Sequence, residues 1–394
     1  MKKSLIDNEL EKLEQQGLKR RLRQAQSPQS ARLRVDGQEV LNFCSNNYLG
    51  LAYDFRLKEA AARCMETEGW GSGASRLVCG NMPAHTLLEE RLAAFKGKEA
   101  CLMFSSGYMA NVGILSALFS RGDVIFADKL NHASLIDGVR LSGATGRRYP
   151  HKDMRALERM LARSDGAGKR RLIVTDSVFS MDGDRAPLKD IIALAKAYDC
   201  MVMIDEAHAM GVFGPDGSGL AAHLGVEDQV DIVMGTLSKA VGSYGAYCCG
   251  SRSLIELLIQ KARSFIYTTG LPPAVAAASL AGIDIIEQQP ALRAQLWDNT
   301  RYVKKALDAM GWDTMDSQSP IIPLLVGESA KAVALSQKLW EKGILISAIR
   351  PPTVPRHTAR LRLTVMATHQ RKELDYLIAQ LECLGKQMGL LQSP

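Results

Sequence analysis

The chain has 394 residues, 46% hydrophobic and 23% charged, with 33 glycines and only 6% aromatics. That composition excludes a disordered chain, a collagen-like repeat and a small disulfide scaffold, and the length suggests about two or three domains. Forty-nine basic against 42 acidic residues leave a formal charge of +7, mild for a nucleic-acid binder, which would carry a clustered basic face.

The opening MKKSLIDNELEKLEQQ is amphipathic and acidic, without an apolar signal core. Leu5, Leu10, Leu13 and Leu18 share one side, which predicts a helix over about the first 25 residues, followed by a polar SPQS linker. The basic cluster Lys19, Arg20, Arg21 and Arg23 lies in its last part. RLRVDGQEVLNF reads as a β-hairpin turning at Asp36-Gly37, and the arm ends at SNNYLGL.

From about residue 55 to 250 short apolar strands alternate with helical patterns. EACLMF, DVIFA, RRLIVTD, MVMIDE, DIVMGT and YGAYCC are the strands, with MRALERMLARS and LKDIIALAKAYD among the helices. This alternation predicts an α/β fold, a mainly parallel sheet covered on both faces, with ligands at the carboxyl ends of its strands. A third region starts near Leu271-Pro272-Pro273 with a long helix to about Met310, then IIPLLVG, ILISA and ARLRLTV as strands. The resulting division is an arm (1–54), a large domain (55–270) and a smaller α+β domain (271–394).

Eight cysteines show no CxxC pair or His-rich spacing, so they read as reduced thiols of a cytoplasmic chain and not as a metal site. Ala100 to Ser120 is the longest uncharged run, but SSG at 105–107, Asn111 and Gly113 break it into strand, turn and helix, which argues against a membrane span.

Chemistry concentrates in three places. In IVMGTLSKAVGSYGAYCCGS, Lys239 is the only charged residue of twenty. An ammonium among small uncharged groups tends to lose its proton or form a bond, which suggests a nucleophilic or imine-forming lysine. MVMIDEAHAMG places Asp205 at a strand end with His208 three residues on; a buried aspartate there needs a cationic partner, such as a protonated pyridine nitrogen. FSSGYMANVGIL is a strand, a turn and a helix start, a shape whose free N–H groups hold phosphate. The letters DEAH also occur in ATP-driven motors, but no Gly-Lys pair here is followed by Ser or Thr, so the phosphate loop is missing. Together the three features match what a phosphorylated pyridine aldehyde requires.

With SNNYLGL, SRLVCGN, FSSGYMANVG, NHASLIDG, VTDSVFSMDGD, IDEAHAMGVFG, GTLSKAVG and ARLRLTVMATH, the chain resembles the α-oxoamine synthases over nearly its whole length. These are fold-type I pyridoxal 5'-phosphate (PLP) enzymes that join an amino acid to an acyl thioester with loss of carbon dioxide. The resemblance implies that Lys239 bonds the cofactor, Asp205 faces its ring nitrogen and His208 its ring oxygen, while His132 stacks on its face. It implies Gly107, Tyr108, Ser180 and Thr236 as further cofactor contacts, with Thr268 and Thr269 lent by the second subunit of a homodimer. Asn46 and Arg362 match groups that hold the amino-acid carboxylate, and Arg20 and Thr353 match acyl-substrate contacts. SAIRPPTVPRHTARLRLT looks like the family member that condenses L-alanine with a pimeloyl thioester, on CoA or an acyl carrier protein, in biotin biosynthesis. The alternative is a sister synthase taking glycine and an acetyl group. Two departures stand out: GSYGAYCCG replaces a more glycine-rich stretch, and Ala74 sits where glycine is usual.

Overall fold

The computed structural model describes residues 2–15, 18–164 and 169–391. The first helix, Lys2–Gln15, is shorter than the leucine spacing predicts, and residues 18–24 run without helix. The hairpin is present: β1 (Arg32–Val35) pairs antiparallel with β2 (Gln38–Asn42), Arg32 opposite Leu41. Asp36 and Gly37 both adopt positive φ, 50° and 82°, the twist that a two-residue hairpin turn needs.

The centre is a seven-stranded sheet of β3 (Ala100–Phe104), β4 (Val124–Asp128), β5 (Thr145–Tyr149), β6 (Arg171–Asp176), β7 (Met201–Asp205), β8 (Ile232–Thr236) and β9 (Ala246–Gly250). Its order is β3-β9-β8-β7-β6-β4-β5, parallel throughout except that β9 runs against both neighbours. Alternate residues serve two separate apolar layers. Met103, Phe126, Ile173, Val202 and Val233 face one, while Leu102, Ile125, Leu172, Met203 and Ile232 face the other. Burial on both faces explains why these strands read as unbroken apolar runs. Helix Gly107–Leu118 covers one face with Ile114 and Leu115, and helix Leu188–Ala197 covers the other with Ile191 and Ile192. The sequence reading missed β5, whose TGRRY is mostly exposed at the sheet edge.

The long helix after Leu271 is two helices, Pro273–Gln288 and Pro290–Ala309, because Pro290 has no N–H to continue the first. Beyond them β10 (Ile321–Gly327), β11 (Ile344–Leu345), β12 (Ser347–Ile349) and β13 (Ala359–Thr364) follow, ILISA dividing between β11 and β12. A small antiparallel sheet has the order β10-β13-β12, and β11 instead joins β2 in parallel. Two strands alone are marginal in water, so the hairpin is stabilised by this third strand. The segment after β2 then runs between the two sheets: Phe43 O accepts from Thr364 N at 2.8 Å and Tyr48 O from Ala367 N at 2.8 Å.

Candidate active site

Parallel strands deliver their last residues to one edge. Asp176 ends β6, Asp205 ends β7 and Thr236 ends β8, with Asp176 directly beside Asp205 in register. Lys239 sits in the turn that follows β8. That turn is pressed onto the arm: a Cβ at Gly242 (φ 74°) would lie 2.4 Å from Ala52 N, so only glycine fits.

Lys239 Nζ lies 2.9 Å from His208 Nε2, and His208 Nδ1 lies 2.6 Å from the Tyr48 hydroxyl. Burial pushes the Lys239 amine down to about 8, against the opposing pull of Asp205 and Asp176, while the Arg362 cation adds to the depression. His208 is held well below its ordinary value, first by burial and then by Lys239, Arg362 and His132, so the ring is neutral.

Asp205 is buried, and among the described residues its carboxylate is bonded only to neutral donors, Asn111 Nδ2 and Ala207 N, each at 2.8 Å. Asn111 also donates to Ser134, and its own Oδ1 is buried without a partner. Asp176 accepts from His132 N at 2.7 Å, and burial beside Asp205 holds its carboxyl well above the usual range. His132 caps helix Ala133–Ser142 while its ring stays accessible; surrounding protein pushes its pKa down.

Arg362, on β13, is buried and reaches across to this edge. Its guanidinium donates to Ser180 O at 2.6 Å, Thr364 Oγ1 at 3.0 Å and Asn46 Oδ1 at 3.0 Å, all neutral oxygens. A guanidinium so placed retains its appetite for a planar anion. At the end of β3, Ser106 caps helix Gly107–Leu118 by accepting from Met109 N, and Ser106 O takes Ala110 N. The N–H groups of Gly107 and Tyr108 have no helical acceptor, which suits an anion. The Tyr108 hydroxyl is spent on Asp137 at 2.6 Å.

The edge therefore gathers Asn46, Lys239, His208, Asp205, Ser180 and Arg362. Thr236 gives its hydroxyl to Gly245 O at 2.8 Å and also accepts from Ser238 N, so it shapes the lysine turn. Thr268 and Thr269 line a small cleft with Ser105, Arg76 and His85. Thr353 is exposed on the wall of a cavity of about 370 Å³ that also presents Ser180, Lys152 and Arg360. Arg20 is exposed on the segment after the first helix, and no contact among the described residues links it to Lys239. Tyr48 and Asp176 were not singled out from the sequence, and Asn111 only as a break in an uncharged run, although each lies inside a quoted motif. Cys248 and Cys249 are fully buried in β9, and burial raises the Cys248 thiol far above its usual range, which makes it inert.

A phosphorylated pyridine aldehyde fits this donor set. Lys239 is an amine with a lowered pKa, Asp205 is a buried carboxylate with no ion pair among the described residues, and the N–H groups at Gly107 and Tyr108 are open.

Comparison with known proteins agrees. The family model for aminotransferases of class I and II matches residues 38–381. An 8-amino-7-oxononanoate synthase of Geobacter metallireducens is 52% identical over 99% of this chain and 100% of its own. One from Symbiobacterium thermophilum is 49% identical over 97% and 98%. Among solved structures, the serine palmitoyltransferase of Sphingomonas wittichii superposes with a TM-score of 0.93 at 33% identity, covering 98% of both chains. A lysine-to-alanine variant of the one from S. paucimobilis, solved with a PLP–myriocin aldimine bound, gives 0.93 at 31%, again over 98% of both chains. The 8-amino-7-oxononanoate synthase of Francisella tularensis gives 0.77 at 31%, covering 88% of this chain and 98% of that one. The chain belongs to the class I and II aminotransferase family, with a fold-type I PLP architecture, and to the branch whose full-length relatives are named 8-amino-7-oxononanoate synthase.

Proposed function

We infer that this chain is a PLP-dependent 8-amino-7-oxononanoate synthase, condensing L-alanine with a pimeloyl thioester and releasing carbon dioxide and the thiol. One observation carries the reading at the site. Among the described residues, a buried carboxylate, Asp205, and a buried guanidinium, Arg362, have only neutral hydrogen-bond partners, and Lys239 lies in the field of both. Two unpaired charges of opposite sign are costly in a scaffold and useful only to ligands carrying the complementary charges.

When bound, PLP supplies the electron sink for a carbanion at the amino-acid Cα. Asp205 would hold the ring nitrogen protonated, and Asn111 fixes that carboxylate by its bond to Oδ2. Arg362 and Asn46 take the amino-acid carboxylate and thereby orient the Cα–H bond. Lys239, its pKa brought to about 8, offers a neutral amine in useful fraction near neutral pH to remove that proton. His132 would cover one face of the ring, the Gly107 and Tyr108 N–H groups would hold the phosphate, and Ser180 and Thr236 would complete the cofactor site. Thr353 and Arg20 serve the acyl substrate.

In this reading the chain divides into an arm (1–54), a large domain (55–270) and a small domain (271–394). It works in the cytoplasm as a homodimer in which Thr268 and Thr269 of each protomer complete its partner's site. The acyl group arrives on CoA or on an acyl carrier protein. No helix among the described residues is long and apolar enough to cross a membrane. The test is thiol release by purified protein given alanine or glycine against pimeloyl-CoA or acetyl-CoA. Turnover with alanine and pimeloyl-CoA supports the assignment; a preference for glycine and acetyl-CoA moves the chain to the sister synthase.

A further inference from the structure

Tyr48 is fully buried, comes from the arm, and ends 2.6 Å from a ring nitrogen of a histidine 160 residues away. It belongs to no role assigned above. A phenol at that distance is in a strong hydrogen bond, and the direction of that bond decides what the other ring nitrogen can do.

Three observations set the direction. First, burial raises the Tyr48 phenol to about 12, so it keeps its proton and has one to give. Second, the Arg362 guanidinium stands on the Asn46 side of the phenol, where it holds Asn46 Oδ1 at 3.0 Å, and it pulls the phenol's pKa the other way. A cation on that side turns the phenolic proton away, toward His208. Third, the competing acceptor, Asn46 Oδ1, is 3.5 Å distant and already takes Arg362 Nη2 at 3.0 Å. The neutral His208 ring therefore accepts at Nδ1 and carries its single proton at Nε2, the nitrogen that faces Lys239 at 2.9 Å.

We propose that Tyr48 is a positioning residue that locks His208 as the Nε2–H tautomer, making it a fixed hydrogen-bond donor toward Lys239 and the cofactor site. A fixed donor favours the neutral amine, whose lone pair accepts its proton, and disfavours the ammonium, which would meet it hydrogen to hydrogen. The other titratable groups around Lys239 are then His208 as donor, the Asp205 carboxylate, the Asp176 carboxyl that burial holds well above its usual range, the His132 ring and the Arg362 cation. Tyr48 acts on the lysine only through the imidazole. The inference deepens the reading of Lys239 as the reactive amine, but the tautomer can be measured whatever the substrate.

The experiment labels histidine with ¹⁵N in the full chain, with and without PLP, and assigns His208 by comparison with His208→Gln. The lock predicts a protonated Nε2 and a hydrogen-bonded, unprotonated Nδ1. In Tyr48→Phe, which retains the ring, the two tautomers should mix. The Lys239 amine pKa, read from the pH dependence of its reaction with an amine reagent in PLP-free protein, should rise. In the His208→Gln background, Tyr48→Phe should leave that pKa unchanged, whereas a merely structural tyrosine would shift it in both backgrounds. A parent protein with Nδ1–H at His208 overturns the proposal even if the assigned reaction holds. So does a Tyr48→Phe effect that survives the loss of the imidazole. If the tautomer and the cycle hold but alanine and pimeloyl-CoA are not used, the function assignment fails and the lock stands.

Discussion

Asp205 and Glu206 are consecutive residues, both buried, in opposite electrostatic situations. Glu206 meets Lys96 Nζ at 2.5 Å, each side chain about 2% exposed, and its other oxygen accepts from Ala221 N. Lys96 also donates to Ser218 O, and a Cβ at Gly219 would collide with the Glu206 carboxylate. That pair is closed to ligands. Asp205, its neighbour in the chain, has only amide donors among the described residues, and Lys239 faces a neutral imidazole. A buried and a half-buried lysine, with two buried carboxylates, thus divide into a set that satisfies itself and a set that does not. Burial of charge alone does not mark a site; burial without an internal counter-ion does.

The largest test removes the open lysine. Lys239→Ala should lose ~10⁴-fold or more in turnover, since groups acting as one unit fail together, while circular dichroism and the unfolding midpoint stay near the parent's. Loss of fold instead of activity would put Lys239 with the scaffold. Next comes Asp205→Asn, which keeps size and removes the anion. Exchange of the alanine α-hydrogen with deuterated water should slow by ~10²–10³-fold, and an unchanged exchange rate would refute the ring-nitrogen role.

Stability sharpens the contrast between the two lysines. Lys96→Met strands Glu206 as an uncompensated buried charge and should cost ~3–5 kcal/mol in urea unfolding. Lys239→Met, compared without PLP, should have the opposite sign. The Lys239 pKa falls from 10.5 to about 8 on folding, so between those values the unfolded chain holds more protons and stability rises with pH. The burden is complete below pH 8 and relieved toward 10.5. The methionine variant should therefore be more stable than its parent at pH 7, the gain fading as pH approaches 10.5. Equal losses at both lysines would erase the distinction.

The sequence showed Lys239 and Asp205 because each is a charge in an apolar stretch, and strand-end placement follows from the alternation of strands and helices. The strands buried on both faces were legible for the same reason. Thr145–Tyr149 was not, because an edge strand carrying Arg147 and Arg148 has no apolar run to announce it. The break at Pro290 was hidden by helical patterns on either side. Tyr48 illustrates the deeper limit. Its local motif reads as a turn, and its chemical meaning comes from His208, brought near by the chain crossing between two sheets. No spacing rule over 160 residues encodes a 2.6 Å contact.

The smallest effect concerns the acyl end, where the arm is exposed. Around Arg20, Lys19 pairs with Glu14 at 2.7 Å and the Arg23 guanidinium lies 4.1 Å from the centre of the Trp340 ring. Arg20 itself sits exposed, outside any helix or strand. A pimeloyl group ends in a carboxylate that an acetyl group lacks, so a basic side chain at the far end of the acyl channel separates the two substrates. A charged hydrogen bond contributes ~1.5–3 kcal/mol, about ten- to a hundredfold in affinity. Arg20→Ala should raise KM for pimeloyl-CoA by that factor and leave the alanine constant unchanged, because Asn46 and Arg362 hold that carboxylate elsewhere. Equal losses with pimeloyl-CoA and acetyl-CoA would mean that Arg20 supports the arm and not the distal carboxylate. No loss at all would return it to the solvated surface and shift the search to Lys152, which lines the cavity beside Ser180 and Thr353.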